Sequence, residues 1–154
     1  MFDRILVPID GSTTSDKGLV HAIALARITR GRIRLIHVID DGLAGLGGEA
    51  AMICSDEVYT AVTAAGSRIL SAAAALVDAQ SIPVETVLCE PSATRLSDRV
   101  EEASMAWGAN LIVIGSHGRR GVRRLLLGSD AEQIMRVSTV PVLMVRAASH
   151  ESLA

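Results

Sequence analysis

The chain has 154 residues, 49% of them apolar and 21% charged, a length and balance that fit one well-packed domain and exclude both a disordered chain and two domains of ordinary size. A formal net charge of −2 supplies no general attraction to nucleic-acid phosphates or anionic lipid. Phe2, Tyr59 and Trp107 are the only aromatic residues, so the core must be aliphatic and the stacking platforms of single-stranded nucleic-acid binders are absent.

Met1-Phe2-Asp3-Arg4 leads straight into the strand-like Ile5-Leu6-Val7 without the basic and apolar regions of a signal peptide. The longest apolar run, near residues 72–77, is too short and too Ala-rich to cross a bilayer, so a cytoplasmic protein with no membrane or nucleic-acid partner is expected. The first strand, residues 4–9, ends in the turn chemistry of Asp10-Gly11-Ser12. A helix over 15–28 follows, with Leu19, Ala22, Ile23 and Ala26 on one face and Gly31 as its stop. Lys17, the only lysine, belongs on its solvent side.

Residues 32–39 form a second strand buried on both faces at its end, where His37 is a packed core residue. Gly42, Gly45, Gly47 and Gly48 make residues 40–54 a connection, with the character of a lid. Over 55–80, Val58, Val62, Ala65, Ile69, Ala72 and Leu76 fall at spacings of three and four, which predicts a long amphipathic helix with those residues inward, ended by Pro83. A third strand occupies 84–89. Pro91 breaks it, and a helix over 93–107 turns Leu96, Val100, Ala103 and Trp107 inward. A fourth strand over 111–114, a loop over 115–128, a helix over 129–137 and a fifth strand over 140–145 complete the order, with a tail beyond residue 147. Cys54 and Cys89 lack CxxC spacing and read as separate reduced thiols.

Strict alternation of strand and helix implies an α/β fold with one parallel sheet covered on both faces. Ligands of such sheets sit beyond the carboxyl ends of the strands, where strand order reverses, and the ends after Ile9 and Ile114 are the candidates. The loop Gly115-Ser116-His117-Gly118, continuing through Arg119 to Gly128-Ser129, suits phosphate: glycines permit close backbone approach, and Gly128-Ser129 opens a helix N-terminus. The plainer reading is that the glycines serve turns and that Ser129-Asp130-Ala131-Glu132 is a capping box; both can hold. No Walker A loop and no GxGxxG follows any strand, so an NTPase or kinase apparatus is unsupported.

Gly115-x2-Gly118-x9-Gly128-Ser129 resembles the G-x2-G-x9-G-(S/T) signature of the ATP-binding branch of the universal stress protein family. Arg4-Ile5-Leu6-Val7-Pro8-Ile9-Asp10-Gly11-Ser12, residues 111–118 and Val140-Pro141-Val142-Leu143-Met144-Val145 are similar to that family's first, fourth and closing strands, so the resemblance spans residues 1–147. It implies a doubly wound five-stranded sheet of order 3-2-1-4-5, adenine nucleotide alpha hydrolase-like. By that resemblance Pro8, Ile9 and Asp10 line the adenosine side and Val38 meets adenine through its backbone. Gly115, His117, Gly118, Arg119, Gly128 and Ser129 hold ribose and phosphates, and a homodimer forms through Val142–Val145. Asp10 either binds ribose, ligates a Mg²⁺ bridging the phosphates, or is only a turn residue. Asp130 departs from the family, which often has an apolar residue there, and places a carboxylate where phosphate would bind. The expected function is an ATP-binding regulatory protein of the stress response; a dimeric interaction module with a vestigial site and a weak ATPase or phosphotransferase are the alternatives.

Overall fold

Short aliphatic and β-branched runs become strands here because each is bounded by Gly, Pro or Asp turn residues and each is followed by a run with helical spacing. In chain order the elements are β1 (Arg4–Pro8), α1 (Thr13–Thr29), β2 (Arg32–Val38), α2 (Asp56–Asp78), β3 (Val84–Cys89), α3 (Leu96–Trp107), β4 (Leu111–Gly115), α4 (Ser129–Val137) and β5 (Val142–Val145). The computed structural model describes residues 1–39, 56–92, 94–116 and 128–146. All strand pairs are parallel, as the alternation of strand and helix led us to expect, and their order is β3-β2-β1-β4-β5, the one the family resemblance implied.

The sheet carries a core on each face. Ile5, Val7, Ile33, Leu35 and Val113 meet Leu19, Ala22 and Ala26 of α1 and Leu70, Ala73 and Val77 of α2. Leu6, Ile36, Ile112 and Ile114, from the alternate positions of the same strands, meet Val100 of α3 and Ala131 and Ile134 of α4. β1 and β4 pair at Ile5–Leu111 and Leu6–Ile112. Below that seam Asn110 ties the two strands together: its backbone N–H donates to Arg4 O at 3.0 Å, its side-chain amide donates to Asp3 Oδ1 at 2.7 Å, and its Oδ1 accepts the Arg4 N–H at 3.1 Å.

On the α3 side, Arg34 is ion-paired with Glu85 and lies 4.7 Å over the Trp107 ring, whose Nε1–H points at Glu85 Oε1, 3.4 Å away. The Arg34 hydrogen bond holds the Glu85 carboxyl below its ordinary value, against a smaller opposing effect of burial.

Several boundaries and faces differ from the sequence expectation. α1 starts at Thr13 because the Ser12 side chain caps it, accepting the Ser15 N–H at 3.2 Å. Its left-handed terminal residue is Arg30, at φ 53°, not Gly31; Gly31 is needed because a Cβ there would lie 2.8 Å from Asp3 Cα. α2 is rotated about one position from the predicted stripe. Gly66, Leu70, Ala73 and Val77 face the sheet, whereas Val58, Ala72 and Leu76 are exposed. Alanine at so many positions makes several stripes of this helix equally apolar, and Gly66 decides among them: a Cβ there would lie 2.8 Å from His37 Cδ2 and 2.9 Å from Leu88 Cδ1. By length and composition alone α2 is also long and apolar enough to cross a bilayer, but its inward face packs on β2 and β3. α3 begins at Leu96, since Arg95 is extended, at φ −63° and ψ 149°. β5 begins at Val142, after Pro141, which lacks the amide a strand residue would donate. Lys17 is half-buried and not fully in solvent.

Candidate functional site

Because α1 follows β1 to one face of the sheet and α4 follows β4 to the other, a crevice opens beyond the carboxyl ends of these neighbouring strands. It holds about 550 Å³ of empty space, its open mouth included. Pro8, Ile9 and Asp10 form one wall at the end of β1, Ile36 and Val38 of β2 contribute apolar surface beside it, and Ile114 and Gly115 close the end of β4. Asp130, Ala131 and Ile134 of α4 stand opposite, with Leu96 of α3.

Each contributor is placed by a local cause. Asp10 Oδ1 accepts the Ser12 N–H at 2.9 Å, so the turn role read from Asp10-Gly11-Ser12 is present, and the same residue lines the cleft. A carboxylate accepts from several donors at once, so the two roles do not exclude each other. Gly115 is demanded by packing: a Cβ there would lie 2.6 Å from the Thr14 carbonyl carbon and 2.9 Å from Ser15 N, where the first turn of α1 crosses the end of β4. That crossing also brings Ser15 into the cleft wall.

α4 opens at the rim. Its N-cap is Gly128, whose N–H donates to Ser116 O at 2.9 Å and which has no side chain to cap the helix with; among the described residues no other side chain does so. The capping box read over Ser129 to Glu132 is therefore corrected. The Gly128 anchor on Ser116 starts the helix one residue earlier, so Ser129 is already its first helical residue and Glu132 N–H bonds Gly128 O at 3.0 Å. A helix start with glycine at its N-cap lacks that residue's side-chain acceptor for its first-turn amides, and the helix end gives the rim positive potential, which Asp130 and Glu132 in that turn partly offset.

Of the residues singled out in the sequence, Pro8, Ile9, Asp10, Val38 and Gly115 are brought together in the cleft, and Gly128 and Ser129 precede its Asp130 wall. His117, Gly118 and Arg119 lie outside the described residues, as does the connection over 40–54 with its proposed lid role and Cys54. His37 is a buried core residue as expected, at 6% exposure, and its Nδ1 lies 2.6 Å from Ile9 O. Cys89 is a half-buried free thiol, pushed up by burial. Among the described residues no group of three or more His, Cys, Asp or Glu side chains stands together to hold a metal ion.

Beyond the strand end at Ile114, which the sequence marked, the sequence reading missed Ser15, Ile36, Leu96, Ala131 and Ile134 as cleft residues. Ile36 was accessible from the strand period, two residues before Val38 on the same face, and Ala131 and Ile134 from their spacing on α4.

Comparison with known proteins agrees with this fold. The model of the universal stress protein family matches residues 1–146. Universal stress protein YxiE of Bacillus subtilis is 31% identical over 95% of this chain and 100% of its own length. Among solved structures, MJ0577 of Methanocaldococcus jannaschii superposes with a TM-score of 0.82 at 23% identity, covering 97% of this chain and 99% of that one. The universal stress protein of Archaeoglobus fulgidus, solved in complex with dAMP, gives 0.67 at 20% identity over 94% and 99%. At these identities the two structures speak for the fold, while the family match over nearly the whole length settles descent: the chain belongs to the universal stress protein family.

Proposed function

We propose that this protein binds an adenine nucleotide, ATP, in the β1/β4 cleft and acts as a regulatory binding protein of the stress response. The observation that carries this is the pairing of an apolar slot, Ile36, Val38 and Ile134, with a helix N-terminus at its rim whose N-cap, Gly128, has no side chain. A flat base suits the first and phosphates the second. The dAMP bound by the Archaeoglobus fulgidus relative supports the adenine assignment. Pro8, Ile9, Asp10 and Val38 take the adenosine end, Gly115, Gly128 and Ser129 the ribose and phosphates, and His117, Gly118 and Arg119 join them by resemblance to the family signature. Mg²⁺ carried with the phosphates fits Asp10 as a single carboxylate ligand, the remaining oxygens coming from phosphate and water. The edge strand β5, with Leu143 38% exposed, is the proposed homodimer contact, and a cytoplasmic location accompanies this reading.

One observation favours the second reading, a dimeric module whose nucleotide site is vestigial: Asp130 lies in the cleft wall, where its charge opposes phosphate. Calorimetric titration of nucleotide-stripped protein with ATP, with and without Mg²⁺, decides between them. Binding that is lost in Gly128→Val, where a side chain would enter phosphate space, and tightened in Asp130→Asn is the expected result. No binding by the native protein or by Asp130→Asn would reject the nucleotide site.

A further inference from the structure

Most polar side chains inside an aliphatic layer are bonded, and what they bond to shows what they hold. His37 points with Ile33 and Leu35 into the layer beneath α2, and its Nδ1 stands 2.6 Å from Ile9 O. A carbonyl only accepts, so the ring carries its proton on Nδ1. Ile9 lies beyond the end of β1, and its own N–H donates to Ile36 O at 2.8 Å. Both backbone groups of this cleft residue are thus held by β2, one by main chain and one by a side chain. The ring is backed by a helix. A Cβ at Gly66 would come within 2.8 Å of His37 Cδ2 and 3.2 Å of Nε2, so only glycine lets α2 rest there. Along the same helix Ile69 bears on Gly11, whose φ is +77° and whose added Cβ would lie 3.3 Å from Ile69 Cδ1. α2 therefore braces the turn after β1 at two points, one of them through the imidazole.

We propose that His37 is a positioning residue for the adenosine end of the nucleotide: its Nδ1–H bond to Ile9 O, backed by α2 at Gly66, fixes the Pro8–Asp10 wall and sets affinity for the nucleoside. The proposal rests on the nucleotide reading above. Since His37 contacts the wall and not the ligand, its loss costs AMP and ATP the same factor, whereas a collapsed cleft costs ATP more because the phosphate contacts go as well.

The test compares native protein with His37→Leu, which keeps bulk but has no donor, and His37→Asn, whose short amide can still donate to Ile9 O. Nitrogen NMR of the ligand-free native protein is expected to show the Nδ1–H tautomer; the Nε2–H tautomer overturns the proposal whatever the ligand. Calorimetry with AMP and with ATP is expected to show an equal loss of about tenfold in His37→Leu, the weight of one hydrogen bond, and recovery in His37→Asn. Unchanged affinity in His37→Leu, or a larger loss for ATP than for AMP, overturns it. If His37→Leu does not fold, Gly66→Ala displaces the ring from the helix side and should reproduce the equal loss; native affinity there overturns the proposal. A native protein with the Nδ1–H tautomer that binds neither nucleotide defeats the nucleotide reading and the positioning role with it, leaving a structural hydrogen bond.

Discussion

The two faces of this sheet are built from alternate residues of the same strands, yet they do different work. Under α1 and α2 the core runs unbroken from Ile33 and Leu35 to Val77, with no exposure of its central side chains. Under α3 and α4 the core is smaller, and Ile36, Ile114, Ala131 and Ile134 are at once part of it and part of the cleft wall. One face is closed packing; the other gives up closure at the carboxyl end of the strands to make room. The ligand site is therefore largely an edge of the second core, joined by Ile9 from the first, and most of its apolar lining comes from residues that already hold the helices.

The difference between the faces should show most strongly when one side chain is truncated on each. Leu35→Ala opens a sealed void and is expected to cost roughly 2–5 kcal/mol. Ile134→Ala opens onto an existing cleft and should lose the transfer part alone, about 2 kcal/mol. Urea denaturation measures both, and equal losses would mean that the second face is packed as tightly as the first. Next in size is Gly115→Ala, where a methyl meets the α1 backbone; overpacking there should cost about 1–3 kcal/mol in the same assay. Gly18→Ala probes that crossing from the helix side. Its Cβ would sit 3.4 Å from Gly115 N, an ordinary contact, so the helix preference for alanine should prevail, with a gain of up to about 1 kcal/mol. A loss at Gly18 would show that α1 and β4 touch more closely than this.

The smallest effect is electrostatic and belongs to the second face. Glu85 is held below its ordinary 4.5 by Arg34, so its contribution to stability is present above that value and is lost as the pH falls through the depressed one. With both side chains partly in water, Glu85→Gln should cost less than about 1 kcal/mol at pH 7 and progressively less as acid protonates the native carboxyl. Trp107, the only tryptophan, reports the same event by fluorescence, since the Arg34 guanidinium lies over its ring. An acid transition of the Trp107 signal that is identical in Glu85→Gln would detach the pair from that response.

Local signals carried well where one period competed with no other. β3 and α4 occur over the residues the sequence indicated, since Pro83, Pro91 and Gly128 bound them sharply. They carried poorly where composition made alternatives equal, as on the Ala-rich α2, or where the deciding atom belonged to a distant element. Gly31 answers to Asp3, Gly66 to His37 and Gly115 to Thr14, and no local pattern shows such a debt. The cleft was legible at its β1 and β4 ends because turn residues mark them. Ala131 and Ile134 show in the sequence only as the spacing of one α4 face, and Leu96 enters only when α3 folds back over the second face.

The seam between β1 and β4 has a kinetic meaning. β1, β2 and β3 are consecutive in the chain and assemble from near neighbours, but β1 meets β4 only across a separation such as the 106 residues between Arg4 and Asn110. Joining the two halves is the costliest loop closure in the molecule, since entropy is lost before the contacts that offset it form. Asn110 fastens that junction at the amino ends of the strands, while the cleft lies across its other end. A molecule bound in the cleft would span both halves, slowing their separation and leaving the folding of either half by itself untouched.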